Sequence, residues 1–535
     1  MRPDRFHRAA IWLGLATTLA GAAPDDTFRL TLVHVNDIHA HLDPSPVNLA
    51  TTPPVQVMAG GATRMATAFA QLRLVSSNVL YLHAGDEFSG TPWFSVYKGL
   101  ADAAVMNRLH FDAFVPGNHE FDQGPGVLGA FLDSLRAPVV AANLDVSDEP
   151  TLRGKIRPAI LRSFGKRKVA IVGVALPETP GISSPGAHVK FRSALSVQRT
   201  IDSVRREGAS VVVLLSHAGL DVDTVIARKL SGVSVVVGGH THTRMGTAFS
   251  QIGLHTKLPY PVVVKTKDGE QVPVVQAWEW GKVVGQIDLE FDAEGRAISW
   301  EGHPFLPSSD TLRSGGQILP DSVAIPLKRS MSCPGLLRFL KPDPAMSALL
   351  SRLGAPLDSL RRTPVAKLPL PLSRKDGTLL EICAKSLLSA GTSWGAMVGL
   401  MNNGGVRDDL AAGTVTREDV LKVAPFDNAV VVLTLTGVEL AKTVQNLSSH
   451  HGHRVGLAGA QIMRDSSDRI VGVRLAGAKS DLTDSDTVRV ATNSYLASGG
   501  DGCIALKKAA GMRLDTGLRD ADALAEWLSE AYSGR

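Results

Sequence analysis

Short apolar runs alternate with helical stretches throughout residues 28–300 of the chain. The runs are rich in valine, isoleucine and leucine, as is typical of buried strands. They are Leu30–Val35, Val79–Ala84, Val139–Ala142, Val169–Ala175, Val211–Leu215 and Val233–Val237. Because strands that alternate with helices pack as sheets covered by helices, we predict a layered α/β domain over these residues.

The pattern changes after this first unit. Prolines recur every few residues from 301 to 371, which predicts a connector that wraps or bridges two domains. Residues 372–535 then combine a helical stretch at Leu379–Ala390 with strand-like runs at Val430–Leu435 and Thr487–Thr492. We predict a second, smaller α+β domain there.

The N-terminus carries the three parts of a secretory signal peptide, namely a basic start, an apolar run and small residues before an acidic pair. The apolar run extends from Ala9 to Ala20 and is followed by Gly21 and Ala22. A buried N-terminal helix is the alternative, but the run is short and ends in small residues rather than in a cap. We therefore predict that residues 1–22 are a signal peptide and that the protein is exported to the periplasm or the extracellular space.

Length and composition limit the classes of protein that fit. With 535 residues and 44% apolar content, the chain is too long for one ordinary core and too hydrophobic for disorder. Its formal net charge of +5 is too small to argue for a nucleic acid polymer as partner. The three cysteines, Cys333, Cys383 and Cys503, form no metal-type pair and allow at most one disulfide. Since Ala523 to Arg535 is polar and amphipathic, we expect no stable membrane anchor.

Five polar clusters interrupt the apolar pattern of the first domain, each soon after a strand-like run. They are Asp37-Ile38-His39, Gly85-Asp86, Gly117-Asn118-His119-Glu120-Phe121-Asp122, Ser216-His217 and Gly239-His240-Thr241-His242. The carboxyl ends of strands in an α/β sheet form ligand sites, so these clusters can converge on one site. Singly, each cluster is more typical of a turn or a surface pair, but their joint occurrence favours a shared site.

The side chains in these clusters suit divalent metal ions. Carboxylates, imidazoles and a side-chain amide, without thiolates, are ligands for hard or borderline ions such as zinc, manganese or cobalt. Two ions about 3.5 to 4 Å apart can share one carboxylate and hold a hydroxide beside a phosphorus atom. Asp86, alone after a glycine, is the natural bridging ligand. We predict two divalent ions, with zinc as the first expectation and manganese or cobalt as alternatives.

The same clusters resemble the calcineurin-like metallophosphatase domain of the 5'-nucleotidase family. The runs Gly85–Gly99 and Val272–Ala277 are similar to the ecto-5'-nucleotidase branch, and the resemblance extends from about residue 28 to 505. It implies a four-layer αββα metallophosphatase domain followed by a smaller α+β substrate-binding domain. It also implies hydrolysis of nucleoside 5'-monophosphates, such as AMP, to nucleoside and phosphate.

The resemblance assigns a role to each polar cluster. The implied ligands of one ion are Asp37, His39 and Asp86, and those of the other are Asp86, Asn118, His217 and His240. His242 is also a candidate ligand, although it stands where some members carry a ligand and others a residue near the substrate. His119 resembles the catalytic histidine that binds no metal, and Asp122 the carboxylate that orients it. A protonated imidazole held in this way can stabilise the phosphoryl oxygens or protonate the leaving alkoxide.

Motifs in the second domain resemble the nucleoside-binding loops of the family. The implied substrate-binding residues are Arg374, Asn402, Gly404, Gly405, Arg407, Phe426, Asn428, Tyr495 and Asp501. Phe426 and Tyr495 would stack on the base, a contact that tolerates different bases, although core packing is the alternative for either one alone. Tyr495 replaces the phenylalanine that is usual in the family. Asp501 would accept hydrogen bonds from the ribose hydroxyls.

The remaining second-domain residues receive less specific roles from the resemblance. Arg407 and Asn402 would reach the phosphate or the ribose, and Asn428 the base. Arg374 is the candidate for the arginine that precedes the first helix of this domain and binds substrate. The glycines at 404 and 405 let the backbone approach a ligand closely.

Two other functions stay open at this point. One is a broader phosphoesterase of the same fold, acting on nucleotide sugars, dinucleotides or cyclic nucleotides, or a hydrolase of thiosulfate esters. The other is a non-catalytic nucleotide-binding or metal-binding protein, which the complete set of implied ligands argues against. The resemblance further implies a domain rotation that carries substrate to the metals. It leaves open whether the protein is a monomer or a homodimer.

Overall fold

The structure is a computed structural model that describes residues 27–332, 335–449, 454–467, 469–509 and 513–533. The predicted signal peptide, residues 1–22, lies outside the described residues. Within the described ranges, no helix combines the length and the apolar character that crossing a membrane would require. Among the described residues, Cys383 and Cys503 are buried free thiols.

The first domain alternates strands and helices, as its apolar pattern predicts. Its strands are β1 Phe28–Val35, β2 Ser45–Leu49, β3 Val55–Ala59, β4 Val79–His83, β5 Ala113–Phe114, β6 Val139–Val140, β7 Leu144–Asp145, β8 Ile156–Arg157, β9 Ala159–Phe164, β10 Arg167–Val174, β11 Lys190–Phe191, β12 Val211–Ser216, β13 Val235–Val237, β14 Val262–Lys265, β15 Gln271–Val275, β16 Gly285–Phe291 and β17 Ala297–Gly302. Its helices are α1 Ala62–Val75, α2 Pro92–Tyr97, α3 Leu100–Leu109, α4 Gly124–Ser134, α5 Thr179–Ile182, α6 Gln198–Arg206 and α7 Leu220–Lys229.

Two mixed sheets pack face to face in this domain. In the described chain one sheet has the order β17-β16-β1-β4-β5-β6-β8, and the other has the order β14-β15-β13-β12-β10-β9. The side chains of each central strand alternate between two cores, because successive residues of a strand point to opposite faces. Leu30 and Leu32 of β1 enter the core between the sheets, whereas Val33 and Val35 face the core under α1 and α3. With α6 and α7 on the far side of the second sheet, the layers follow the order αββα.

The segment predicted as a connector wraps the first domain. Its elements are β18 Leu306–Ser308, β19 Arg313–Ser314, β20 Gln317–Ile318, α8 Asp321–Ser332, β21 Leu337–Phe339, α9 Pro344–Gly354 and α10 Leu357–Arg362. β18 and β19 pair with β3, which extends a small sheet of the first domain. The helix α9 packs on α1 and α3 through Met346 and Leu350. The predicted domain limits of 300 and 372 stay predictions.

The second domain is built on a mixed sheet with helices on both faces. Its strands are β22 Pro364–Leu368, β23 Val398–Asn402, β24 Gly413–Thr416, β25 Ala429–Thr436, β26 Val455–Ala458, β27 Ala460–Arg464, β28 Ile470–Leu475, β29 Thr487–Asn493 and β30 Leu514–Arg519. Its helices are α11 Thr378–Gly391, α12 Arg417–Val423, α13 Gly437–Ser449, α14 Ser494–Ala497, α15 Ile504–Lys507 and α16 Asp520–Tyr532. The main sheet has the order β26-β23-β29-β25-β30, with α11 and α16 on one face and α13 on the other.

Contact between α11 and β23 requires a glycine at position 399. A Cβ atom at Gly399 would lie 2.0 Å from the carbonyl oxygen of Ala384 and 2.9 Å from the Cβ of Leu388. We therefore expect Gly399→Ala to lower the free energy of unfolding by about 1 to 3 kcal/mol, the usual range for overpacking a core. Denaturant unfolding of the purified protein measures this.

The matched control is Gly126→Ala in α4, where an added Cβ meets nothing within 4 Å. Since alanine favours a helix over glycine by about 1 kcal/mol, this variant should keep or gain stability. Equal stability of the two variants would contradict the close packing of α11 on β23.

Candidate active site

The five polar clusters meet at the carboxyl ends of central strands in the first domain. β1 and β4 end immediately before the loops that carry Asp37 and Asp86, and β5 precedes the loop of Asn118. In the second sheet, β12 and β13 end before His217 and His240. Neighbouring parallel strands therefore deliver these side chains to one place, as their positions in the sequence predict.

The ligand atoms of these residues lie close enough to share metal ions. Three groups have mutually close donor atoms, namely Asp37 with His39 and His242, His39 with Asp86 and His119, and Asp86 with His217 and His240. The carboxylate of Asp86 belongs to two groups, and its Oδ2 lies 2.9 Å from Nε2 of His217 and 3.9 Å from Nε2 of His39. Asp86 thus has the position that a bridging ligand needs.

The buried polar atoms at the cluster test whether these residues fit divalent ions. Oδ1 of Asn118 is buried and has no hydrogen-bond partner among the described residues, and the buried Nε2 of His217 faces the Asp86 carboxylate. The opposite ring nitrogen of His217 is engaged, since its Nδ1 donates to the carbonyl of Ala84 at 2.6 Å. Burial lowers the pKa of His240 to about 3, which keeps its imidazole in the neutral form that binds metal. The donor set therefore fits divalent ions.

His242 lies inside the cluster rather than outside it. Its Nε2 is 3.1 Å from Nε2 of His39 and 3.5 Å from Oδ1 of Asp37. Its Nδ1 donates to Glu279 Oε2 at 2.8 Å, and Lys282 donates to Oε1 of the same carboxylate at 2.9 Å. Burial disfavours a charge on Glu279, but the hydrogen bond from His242 and the charge of Lys282 hold the pKa of that carboxyl below its ordinary value.

Most of the candidate ligands have a left-handed backbone. The φ angles are 53° at Asp37, 51° at His39, 54° at Asp86, 74° at His240 and 48° at His242. Such angles are uncommon outside glycine, although Asp, Asn and His tolerate them better than other residues. A cluster of such residues is typical of functional sites, where the surrounding fold holds the backbone in place.

Glu120, to which the sequence analysis assigned no role, holds two of the ligand loops together. Its buried carboxylate accepts hydrogen bonds from the backbone N–H groups of Asp86, Glu87, Phe88 and Gly117, at 3.0, 2.8, 3.0 and 2.6 Å. The loop after β4 is thereby fastened to the loop after β5. The sequence offered one indication of this role, namely that Glu120 lies between the predicted site residues His119 and Asp122.

His119 stands beside the metal cluster and is oriented by a carboxylate. Its Nδ1 donates to Oδ2 of Asp122 at 2.7 Å, and its backbone N–H donates to Oδ1 of Asp86 at 2.9 Å. Burial lowers the pKa of His119, but the negative charges of Asp122 and Asp86 outweigh it, so that the pKa is raised above its ordinary value. The ring lies nearly parallel to that of Phe426, with centroids 5.6 Å apart.

A cavity of about 870 Å³ joins the two domains at this point. The predicted site residues that line it are Asp86, Asn118, His119, Asp122, His240, His242, Asn402, Gly404, Gly405, Arg407, Phe426, Asn428, Tyr495 and Asp501. Asp37, His39 and His217 are fully buried behind this wall. The cavity therefore has a metal-binding end on the first domain and an aromatic end on the second.

Arg374 is the predicted substrate-binding residue that does not line the cavity. Its Nη1 donates to the carbonyl of Arg407 at 2.9 Å, and its backbone N–H donates to Asp409. Burial and the nearby charge of Arg374 both lower the pKa of Arg407, whose guanidinium lies 5.6 Å from the ring centroid of Phe426. The guanidinium of Arg407, which lines the cavity, favours an anionic ligand there.

The hydroxyl of Tyr495 is bound to Asp501. It donates to Oδ1 of Asp501 at 2.6 Å, while Nδ2 of Asn402 donates to Oδ2 at 2.8 Å. The tyrosine ring lies directly over Gly500, where a Cβ would come within 2.4 Å of it. The replacement of phenylalanine by tyrosine therefore adds a contact that fixes the Asp501 carboxylate.

Two family models match the chain, one for each domain. Residues 30–244 match calcineurin-like phosphoesterases, and residues 363–508 match the C-terminal domain of 5'-nucleotidases. A probable 5'-nucleotidase of Treponema pallidum is 30% identical over 573 aligned residues, which cover 98% of this chain and 96% of the relative. The chain belongs to the 5'-nucleotidase family.

Solved structures of 5'-nucleotidases and related enzymes agree. The chain is similar to the 5'-nucleotidase precursor from Thermus thermophilus, with a TM-score of 0.84, 35% identity and coverage of 94% of this chain and 97% of that one. It is also similar to the NAD nucleotidase of Haemophilus influenzae, with a TM-score of 0.67, 26% identity and coverage of 95% and 97%. The predicted family, its two-domain α/β fold and its class of metal-dependent phosphoesterase are therefore confirmed.

In this member of the 5'-nucleotidase family, Glu279 lies in no recognised motif, yet it orients His242. We expect Glu279→Gln to weaken binding of a divalent ion by about 10-fold to 100-fold, the usual effect of removing a carboxylate behind a histidine ligand. Competition between the purified protein and a chromogenic chelator measures this affinity. Glu301→Gln, which changes an exposed glutamate of the same domain, should leave the affinity unchanged. Equal affinities of Glu279→Gln and the parent would exclude His242 as a ligand oriented by Glu279.

Proposed function

We propose that this protein is an exported 5'-nucleotidase that hydrolyses nucleoside 5'-monophosphates, such as AMP, with two divalent ions. The observation that carries the proposal is that one cavity contains both the metal-binding cluster and the Phe426–Tyr495 aromatic pair. A phosphate fits the charged end, and a base fits the aromatic end. Export rests on the signal-peptide pattern of residues 1–22, and the chain is similar to a protein that is described as a 5'-nucleotidase precursor.

The charged end has the groups that phosphate ester hydrolysis requires. Asp37, His39 and Asp86 would hold one ion, and Asp86, Asn118, His217 and His240 the other, with His242 beside the first. When bound, the ions supply an activated water and neutralise phosphate charge. The guanidinium of Arg407 binds the phosphate oxygens from the opposite domain. It reaches this region because Arg374 holds its backbone carbonyl.

His119 acts on the leaving group in this proposal. The bond between phosphorus and the ribose 5' oxygen breaks, and Nε2 of the protonated His119 gives its proton to that oxygen. Asp122 keeps the imidazole oriented through Nδ1 and favours its protonated form. Since the attacking group is water, the reaction needs no covalent phospho-enzyme.

The aromatic end selects a nucleoside. Phe426 and Tyr495 stack on the base, Asn428 contacts its edge, and Asp501 accepts hydrogen bonds from the ribose hydroxyls. Asn402 and Tyr495 hold both carboxylate oxygens of Asp501 in position for this contact. In the structure the ring of Phe426 also lies against that of His119. A rotation of the second domain moves Phe426 away from His119 and so gives substrate access to the metal-binding end.

A second candidate function is supported by the size of the space between the domains. A further cleft of about 480 Å³ adjoins the main cavity and shares Gly181, Ile182 and Asp501 with it. A dinucleotide is larger than a nucleoside monophosphate and would use this additional space beside Asp501, and one similar structure is an NAD nucleotidase. Phosphate or nucleotide release from AMP, a nucleotide sugar and a dinucleotide, measured side by side, ranks these substrates.

The first test combines metal removal with a change at His119. The parent should release phosphate from AMP when loaded with metal and should lose this activity after treatment with a chelator. His119→Ala should lower kcat by about 10²-fold to 10⁴-fold, the range for loss of a general acid. His255→Ala, an exposed histidine of the same domain, is the control and should match the parent. No phosphate release from AMP by the folded, metal-loaded parent would refute the proposed activity.

The second test concerns the base. Phe426→Ala should raise KM for AMP by about 5-fold to 150-fold, because stacking contributes about 1 to 3 kcal/mol per base. Ribose 5-phosphate has the same ester but no base, so its KM should be the same in the variant and the parent. Steady-state phosphate release gives both constants. A similar rise in KM for both substrates would show that Phe426 does not stack on the base.

A further inference from the structure

A short loop of the first domain, which lies outside all the sequence motifs described above, reaches both ends of the cavity. This 177–186 loop follows β10 and contains α5, Thr179–Ile182. Gly181 and Ile182 line the cavity next to Asp501 and Gly502 of the second domain. The loop is therefore part of the wall that faces the nucleoside.

Ser183, the residue after α5, also contacts the catalytic pair. Its Oγ donates to Oδ1 of Asp122 at 3.0 Å. The other carboxylate oxygen, Oδ2, accepts from Nδ1 of His119 at 2.7 Å and from Oγ of Ser89 at 2.8 Å. Both oxygens of Asp122 are thus bound, and Ser183 fixes the one that does not contact His119.

The position of Ser183 is set by the local fold. Its backbone N–H donates to the carbonyl of Thr179 at 2.9 Å, which closes the turn of α5. The fully buried Thr179 in turn donates through Oγ1 to the carbonyl of Leu176 at 2.7 Å. Because Leu176 follows the end of β10, the hydroxyl of Ser183 is fastened to the sheet that also carries His217 and His240.

We propose that Ser183 is a positioning residue for the leaving-group step, a role that rests on the proposed function of His119. By holding Oδ1, it prevents rotation of the Asp122 carboxylate and so keeps Nε2 of His119 directed at the leaving oxygen. In that step a water oxygen bonds to phosphorus as the bond from phosphorus to the leaving oxygen breaks, and the leaving oxygen takes the proton from Nε2. The same loop faces the nucleoside, so the wall of the substrate site and the catalytic pair move as one unit.

The test compares two substrates that differ in their need for a proton. The alkoxide released from AMP must be protonated, whereas p-nitrophenolate leaves p-nitrophenyl phosphate without protonation. We expect Ser183→Ala to lower kcat for AMP by about 10-fold or more, as for other residues that orient a catalytic group. The kcat for p-nitrophenyl phosphate should stay within about 2-fold of the parent, because His119 contributes little to that step. A purely structural defect would lower both rates by the same factor.

Three further variants serve as controls. Ser183 has an extended backbone, which β-branched residues adopt readily, so Ser183→Thr and Ser183→Val form a pair that differs in the hydroxyl alone. Threonine should restore the parent ratio of the two rates, and valine should reproduce the alanine result. Ser77→Ala removes an exposed hydroxyl of the same domain that does not line the cavity, and should keep the parent ratio.

Three outcomes would overturn the inference. Ser183→Ala and Ser183→Val could both match the parent on AMP, or they could lower the two rates equally, or Ser183→Thr could behave like Ser183→Val. A metal-loaded parent that releases phosphate from neither substrate would instead refute the proposed function, and the inference with it. The unfolding temperature of each variant shows whether a lost rate reflects lost structure.

Discussion

The buried carboxylate of Glu120 is the interaction on which the metal-binding end depends. It accepts four backbone hydrogen bonds from two loops that would otherwise leave buried N–H groups unpaired. Together with the hydrogen bond from the backbone N–H of His119 to Asp86, it fixes the distance between Asp86 after β4 and Asn118 after β5. The relative positions of two candidate ligands and of His119 therefore depend on a side chain that does not line the cavity.

The two domains carry different kinds of functional group. In the proposed function, the groups that would bind ions and transfer a proton lie on the first domain, and the groups that would recognise a nucleoside lie on the second. Arg407 and Phe426 cross this division, since both reach the metal-binding end from the second domain. The metal-binding end therefore contains the charge of Arg407 and the ring of Phe426 only when the two domains are in contact.

The motifs predict the family by resemblance, and the apolar run before each polar cluster predicts the layered fold and the convergence of the metal-binding clusters. Glu279 and Ser183 were not predicted, since they lie on loops that have no strand pattern and come near the site only through tertiary folding. The resemblance assigns Arg374 to the substrate, which stays a prediction, and the sequence did not predict its hydrogen bond to the carbonyl of Arg407. Spacing along a chain indicates which sheet edge a residue reaches, but it does not indicate which side chain a neighbouring loop meets.

The left-handed backbone of the candidate ligands has a consequence for how such a chain can change over generations. For most residues, the left-handed backbone at each of these positions lowers the free energy of unfolding by on the order of 1 to 3 kcal/mol. Substitution by a β-branched or bulky residue is therefore selected against, whether or not the chain hydrolyses anything. Asparagine and glycine tolerate the same angles. A descendant of this protein could therefore lose candidate metal ligands through Asp37→Asn and Asp86→Gly while keeping its fold and the cavity between its domains. The backbone angles that hold the candidate ligands thus leave open a short mutational path from an enzyme to a protein that binds a ligand without catalysis.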